Sequence, residues 1–157
     1  MNKKLFIGYA VTVSFYLTPG CKSTKGCLDP ISIDYNADAD KDDGSCRYAG
    51  MGGNTKIVAL PRHHSKLIIS SAAYPDTAYV KFNAVESPGD NPFAYDMIVV
   101  GDSGEDHVHL EGLKAGKYFI YMTGYDSAVV THRVKGGIPY TLLQPSGEVD
   151  VVIPVTE

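Results

Sequence analysis

The residues able to do chemistry in this chain fall into three groups: three cysteines near the N-terminus, a run of acids, and five histidines. Cys21 and Cys27 are each preceded by glycine, and Cys46 follows further on. Thiols so placed suit pairing, metal ligation or modification. His107 and His109, in Glu105-Asp106-His107-Val108-His109-Leu110, are two apart. On a strand both would project from one face, about 7 Å apart at their Cα atoms, with Val108 and Leu110 turned to a core. His63 and His64 sit side by side next to a turn. Gathered with His107 and His109, they would offer imidazoles to Zn²⁺ or Cu²⁺. Asp106 or Glu105 would then support the rings from behind. The competing reading is a set of exposed polar side chains on unrelated edges.

Asp34, Asn36, Asp38, Asp40 and Asp42 place an oxygen ligand at every second position, as calcium loops do. The strict EF-hand fails. Counting from Asp38, Gly44 falls at position seven instead of six, and position twelve is Ala49 instead of glutamate. Two readings stay open: a looser Ca²⁺ site, or a solvated acidic loop whose carboxylates cap turns. Nothing resembles a Gly-x-Ser-x-Gly elbow or a phosphate loop, and scattered acids do not identify a catalytic pair. The chain therefore reads as non-catalytic, with a hydrolase as the distant alternative. Its net charge of −4 and lack of a basic stripe argue against a nucleic-acid partner. Tyr118 and Tyr121, with Tyr125 and Tyr140 in turns, are candidates for a carbohydrate or peptide surface. Packing at the sheet margins with hydroxyls in water is the plainer expectation.

These side chains need elements to hold them. Lys3-Lys4 precedes a mostly apolar run, Leu5 to Leu17, which is too short to span a membrane and reads as the core of a secretory signal, 1–20. Its Gly20-Cys21 ending resembles the lipobox of bacterial lipoproteins, with Thr18 where leucine is usual. That resemblance implies lipidation of Cys21 and a membrane anchor at the N-terminus. Residues 21–25 form a tether with no acid directly after the cysteine. By analogy with lipoprotein sorting, this points to the outer membrane.

Residues 26–48, "GCLDPISIDYNADADKDDGSCRY", resemble a short module of secreted Bacteroidetes proteins. The match rests on Gly26, Cys27, Asp29, Pro30, Tyr35, Ala39, Asp42, Asp43, Gly44, Ser45, Cys46 and Tyr48. The resemblance implies a Cys27–Cys46 disulfide, and chain entropy supports it: closing a loop of this size stabilises by about 3 kcal/mol. An acidic segment this short lacks a core of its own. Cys21 is then left for lipid.

Residues 49–55 are glycine-rich and read as a linker. From 56 to 157, runs of β-branched and aromatic residues alternate with turn signals. Strands are expected near 56–60, 66–71, 78–85, 95–100, 107–110, 117–123, 128–134 and 148–155, with a turn at Gly136-Gly137. No stretch keeps a helical period. The expected fold is all-β, an antiparallel two-sheet sandwich. "GLKAGKYFIYMTGYD", 112–126, resembles a turn-strand of prealbumin-like and Cna-B-like sandwiches, with Ala115 in place of proline. Together these readings describe a cell-envelope lipoprotein with a binding domain for an envelope protein, peptide or glycan. A Zn/Cu-binding envelope protein is the alternative.

Overall fold

The computed structural model describes residues 22–157, so the signal segment and Cys21 lie outside the described residues. In the N-terminal module, β1 (Lys25–Gly26) and β2 (Lys41–Asp42) pair in parallel. The remaining strands are β3 (Met51–His63), β4 (Lys66–Leu67), β5 (Thr77–Phe82), β6 (Met97–Val100), β7 (Val108–Leu113), β8 (Gly116–Tyr125), β9 (Arg133–Leu142) and β10 (Ser146–Val155). A single 3₁₀ turn, Pro92–Ala94, is the only helical element among the described residues.

The all-β expectation holds. One sheet is built on β3, with β10 along one edge and β7 and β4 along the other. The second runs β6-β5-β8-β9, antiparallel throughout. Period-two alternation turns Ile57, Ala59, Leu110, Leu113, Val151 and Ile153 of the first sheet inward. They meet Ala78, Val80, Tyr118, Ile120, Met122, Val134 and Leu142 of the second. Val108 and Leu110 are buried as the histidine spacing requires. An isolated bridge between Lys135 and Thr156 ties the sheets together at one end.

Five details differ from the sequence reading. The β3–β10 pair is parallel over ten residues, from Asn54–Ser146 to His63–Val155, although its neighbours are antiparallel. The supposed linker 49–55 is ordered structure, because β3 already begins at Met51. Its glycines serve a bulge: Met51 and Thr55 both register with Leu113, and a Cβ on Gly53 would lie 2.0 Å from the Leu113 carbonyl oxygen. Residues 126–132 form a turn instead of a strand, with the Asp126 N–H donating to His132 O and the Asp126 carboxylate accepting from Ala128 N–H. Gly136 and Gly137 then fall inside β9. A Cβ at Gly136 would come 2.3 Å from Pro154 O, so this glycine marks a close approach of backbones. The run 66–71 keeps only Lys66–Leu67 as strand.

The Cys27–Cys46 disulfide is present, with its Cα atoms 4.9 Å apart. Around it the Ser32 hydroxyl accepts from the N–H groups of Asp34 and Arg47 and donates to Arg47 O, and the Tyr48 hydroxyl donates to Asp29. The module is fastened to the sandwich. Asn83, held at φ 54° after β5, accepts from Ala49 N–H at 2.8 Å and donates to Ala49 O at 3.3 Å. The buried Tyr118 hydroxyl accepts from Gly50 N–H and donates to Lys114 O at 2.5 Å. Lys117 reaches Pro30 O.

Candidate functional site

The strands run between two ends of the sandwich. Gly116, Phe82, Leu142 and Met51 lie at the end that meets the module; Tyr125, Thr77, Arg133 and His63 lie at the other. Along the ten residues of β8 these ends are about 30 Å apart.

The outer face of the β6-β5-β8-β9 sheet carries Thr77, Tyr79, Phe119, Tyr121, Thr123, Arg133 and Lys135, because the even-numbered residues of β5 and β8 are the inward set. Nearer the module, the chain between Asn83 and Asp96 folds over this face and makes a small second core of Tyr95, Phe119 and Tyr121, with Tyr79 and Ala84 against it. Asp90 pins the fold-over. It accepts from the Tyr121 hydroxyl at 3.0 Å and pairs with Lys135. Lys135 first, then Tyr121, hold the Asp90 carboxyl below the usual range. Burial, and then the bond to Asp90, push the Tyr121 hydroxyl well above the ordinary tyrosine range.

Beyond that cover the face is open. A groove of about 570 Å³ runs over Tyr79, Thr77, Thr123 and Arg133 toward Tyr74 and Tyr125. Tyr74 and Tyr125 are stacked, 4.3 Å between ring centroids and 9° between planes, and Tyr74 is 49% exposed. The His132 ring lies 5.4 Å from that of Tyr125. The arrangement offers a flat aromatic platform, threonine hydroxyls and the Arg133 guanidinium within one concavity. That is the composition of a small-ligand site: apolar surface with a few convergent polar groups.

Beneath the groove floor lies Asp76, fully buried. Its N–H donates to Ser70 Oγ at 3.1 Å and its carbonyl accepts from Gly101 N–H, yet neither carboxylate oxygen has a hydrogen-bond partner among the described residues. Burial pushes its pKa up to about 6. Further along the same inner end, His63 Nδ1 and the buried Asp126 carboxylate are 2.9 Å apart. The Ala128 N–H and then His63 hold the Asp126 carboxyl below its usual range.

The histidines expected to converge do not. His63 shares the inward face of β3 with Ile57 and Ala59, and its ring lies 4.2 Å from His64. His109 registers with Val58, so it projects from the outer face. Five residues of β3 separate Val58 from His63, about 17 Å. His107 and His109 do meet each other. The acids of the module are likewise dispersed. Asp34 forms two bonds with Arg47, Asp40 accepts from Ser23, and Asn36, Asp42 and Asp43 each accept from the N–H two residues on. Arg47 holds the Asp34 carboxyl below its usual range. Among the described residues, no group of three or more His, Cys, Asp or Glu side chains gathers around one point.

Of the four tyrosines singled out by sequence, only Tyr125 lines the groove. Tyr118 is buried with its hydroxyl in the clamp to Gly50 and Lys114, Tyr121 lies under the fold-over, and Tyr140 packs on the core. Tyr74, Tyr79 and Arg133 escaped notice. Tyr74 precedes a Pro-Asp turn, and Arg133 alternates with buried Val134 only once β9 is read as starting there. No family model matches the sequence, and comparisons with curated proteins and with solved structures return no match.

Proposed function

We propose that the protein is a cell-envelope lipoprotein, held at the outer membrane through acylated Cys21, whose sandwich is a non-catalytic binding domain. The groove over Tyr74 and Tyr125 receives the ligand, a glycan segment carrying an acidic group. The observation that carries this reading is the stacked tyrosine pair, Tyr74 exposed and Tyr125 half-buried, beside Arg133 in an open groove. A flat aromatic platform suits the apolar face of a sugar ring, threonine hydroxyls suit its hydroxyls, and a guanidinium suits a carboxylate or sulfate. The address rests on the Lys3-Lys4 start, the apolar run and the Gly20-Cys21 ending.

Titrating the full chain with acidic and neutral oligosaccharides tests the site. Tyr125→Ala should weaken binding of the acidic series at least tenfold, and Arg133→Gln should remove the preference for acidic over neutral sugars. Binding unchanged in both variants, or binding only of peptides, overturns the glycan assignment. In cells, acyl label should appear on the wild type and vanish in Cys21→Ser; unlabelled wild type refutes the anchor.

A further inference from the structure

The outer face of the other sheet holds a feature that the binding groove does not use. His107 Nε2 and His109 Nε2 face each other at 3.1 Å. The first precedes β7 directly and the second lies within it, so the i, i+2 spacing puts both rings on the solvent side while Val108 between them is buried. His107 Nδ1 is 2.9 Å from Asp106 Oδ1. A carboxylate there accepts a hydrogen bond from Nδ1–H, and in that tautomer Nε2 of His107 carries the lone pair.

The ring geometry is compatible with a bent imidazole–imidazole hydrogen bond and with two lone pairs converging on one ion. If one imidazole merely donated end-on to the other, the centroids would lie about 5.4 Å apart, since each nitrogen is about 1.15 Å from its ring centre. If both lone pairs aimed at a common ion about 2.05 Å from each nitrogen, the centroids would be about 4.8 Å apart. The observed separation is 4.6 Å, with the rings 77° apart in plane. The Nε2 spacing also falls between the values for two imidazoles on one ion, about 2.9 Å for a cis square-planar pair and about 3.3 Å for a tetrahedral pair.

We infer that His107 and His109 form a two-imidazole chelate for a nitrogen-preferring divalent cation, Cu²⁺ more tightly than Zn²⁺, with Asp106 as the positioning residue for His107. The face around them is acidic. Glu148 and Asp150 of β10 lie on the same side of the sheet, because Glu148 registers with Lys56 and Asp150 with Val58, the partner of His109. Glu148 is paired with Lys56 on that face. Glu105 lies 3.8 Å from His107. These carboxylates draw a cation to the face without closing its coordination, so two positions stay open to water and the ion exchanges freely. The order of preference follows from neutral imidazole donors and the Irving–Williams series.

The test is a titration of the full chain, without a histidine tag, with Cu²⁺ and separately with Zn²⁺. One equivalent of Cu²⁺ should bind in the micromolar range, with an electron paramagnetic resonance signature of nitrogen ligands. His109→Ala and His107→Ala should each weaken it at least tenfold, and Asp106→Asn also about tenfold through the ring it positions. His64→Ala and His132→Ala, both exposed, should change nothing. Thermal melting confirms that each variant is folded, and His109→Gln replaces His109→Ala should the latter fail. No binding at 100-fold excess of Cu²⁺, or binding that survives the His107→Ala, His109→Ala double variant, overturns the inference. Tyr125→Ala leaves this site intact, so its outcome and that of the groove are read independently.

Discussion

The two ends of the sandwich are built on opposite principles. At the end facing the module, polar groups find close partners: Asn83 brackets Ala49, Tyr118 bridges Gly50 and Lys114, and a disulfide closes the loop beyond. At the opposite end His63 and Asp126 pair, yet Asp76 is buried with neither carboxylate oxygen paired among the described residues, and Tyr74 and Tyr125 stack beside an open groove. Paired buried groups contribute stability; a lone buried carboxyl subtracts from it. Under the binding function proposed above, one end fixes the attachment and the other keeps a less stable surface free for a ligand. Stability and function are commonly traded in this way at binding sites.

The contrast can be broken at three points. The largest effect is expected from Cys27→Ala with Cys46→Ala, which should cost the module about 3 kcal/mol by releasing its loop. Limited proteolysis should then cut within 26–48 while the sandwich melts as before; equal loss in both parts would mean that they form one cooperative unit. Next is Asp76. The unfolded chain loses this proton near the ordinary 3.8 and the folded chain holds it to about 6. Native protein therefore binds more protons between those values, and stability falls as pH rises through them. The cost is absent below about pH 4, complete above about pH 6, and at most about 3 kcal/mol. Asp76→Asn should erase that slope in denaturant titrations run from pH 4 to 7; a flat wild-type profile would contradict it. The smallest effect compares tyrosine hydroxyls. Tyr118→Phe should cost about 1–2 kcal/mol by stranding the Lys114 carbonyl, whereas Tyr74→Phe should stay within about 0.5 kcal/mol. Equal costs would erase the distinction between the ends.

The parts readable in sequence were those governed by local alternation. Ala78 and Val80, or Val108 and Leu110, declare a buried face through period two alone, and the module's resemblance to a known pattern implied the disulfide that is present. Glycine misled, because at Gly53 and in Gly136-Gly137 it answers a neighbouring backbone from elsewhere in the chain, and no local pattern encodes that approach. The same holds for the groove. Tyr74 and Tyr125 are 51 positions apart and meet only because the turn before β5 and the end of β8 reach the same end of one sheet. The histidines split along the same line: the i, i+2 pair was visible, and its separation from His63 depended on which face of β3 each side chain takes.

The parallel ladder between β3 and β10 bears on when this chain can fold. β3 is the spine of its sheet, and one whole edge of it is completed by residues 92 positions downstream, Asn54 by Ser146 and onward to His63 by Val155. A chain delivered N-terminus first, from a ribosome or through a membrane pore, holds that edge unpaired until its last strand emerges. Long-range parallel pairing is also slow to form. The molecule thus carries a built-in delay: the module can close its disulfide before the sheet around β3 is complete.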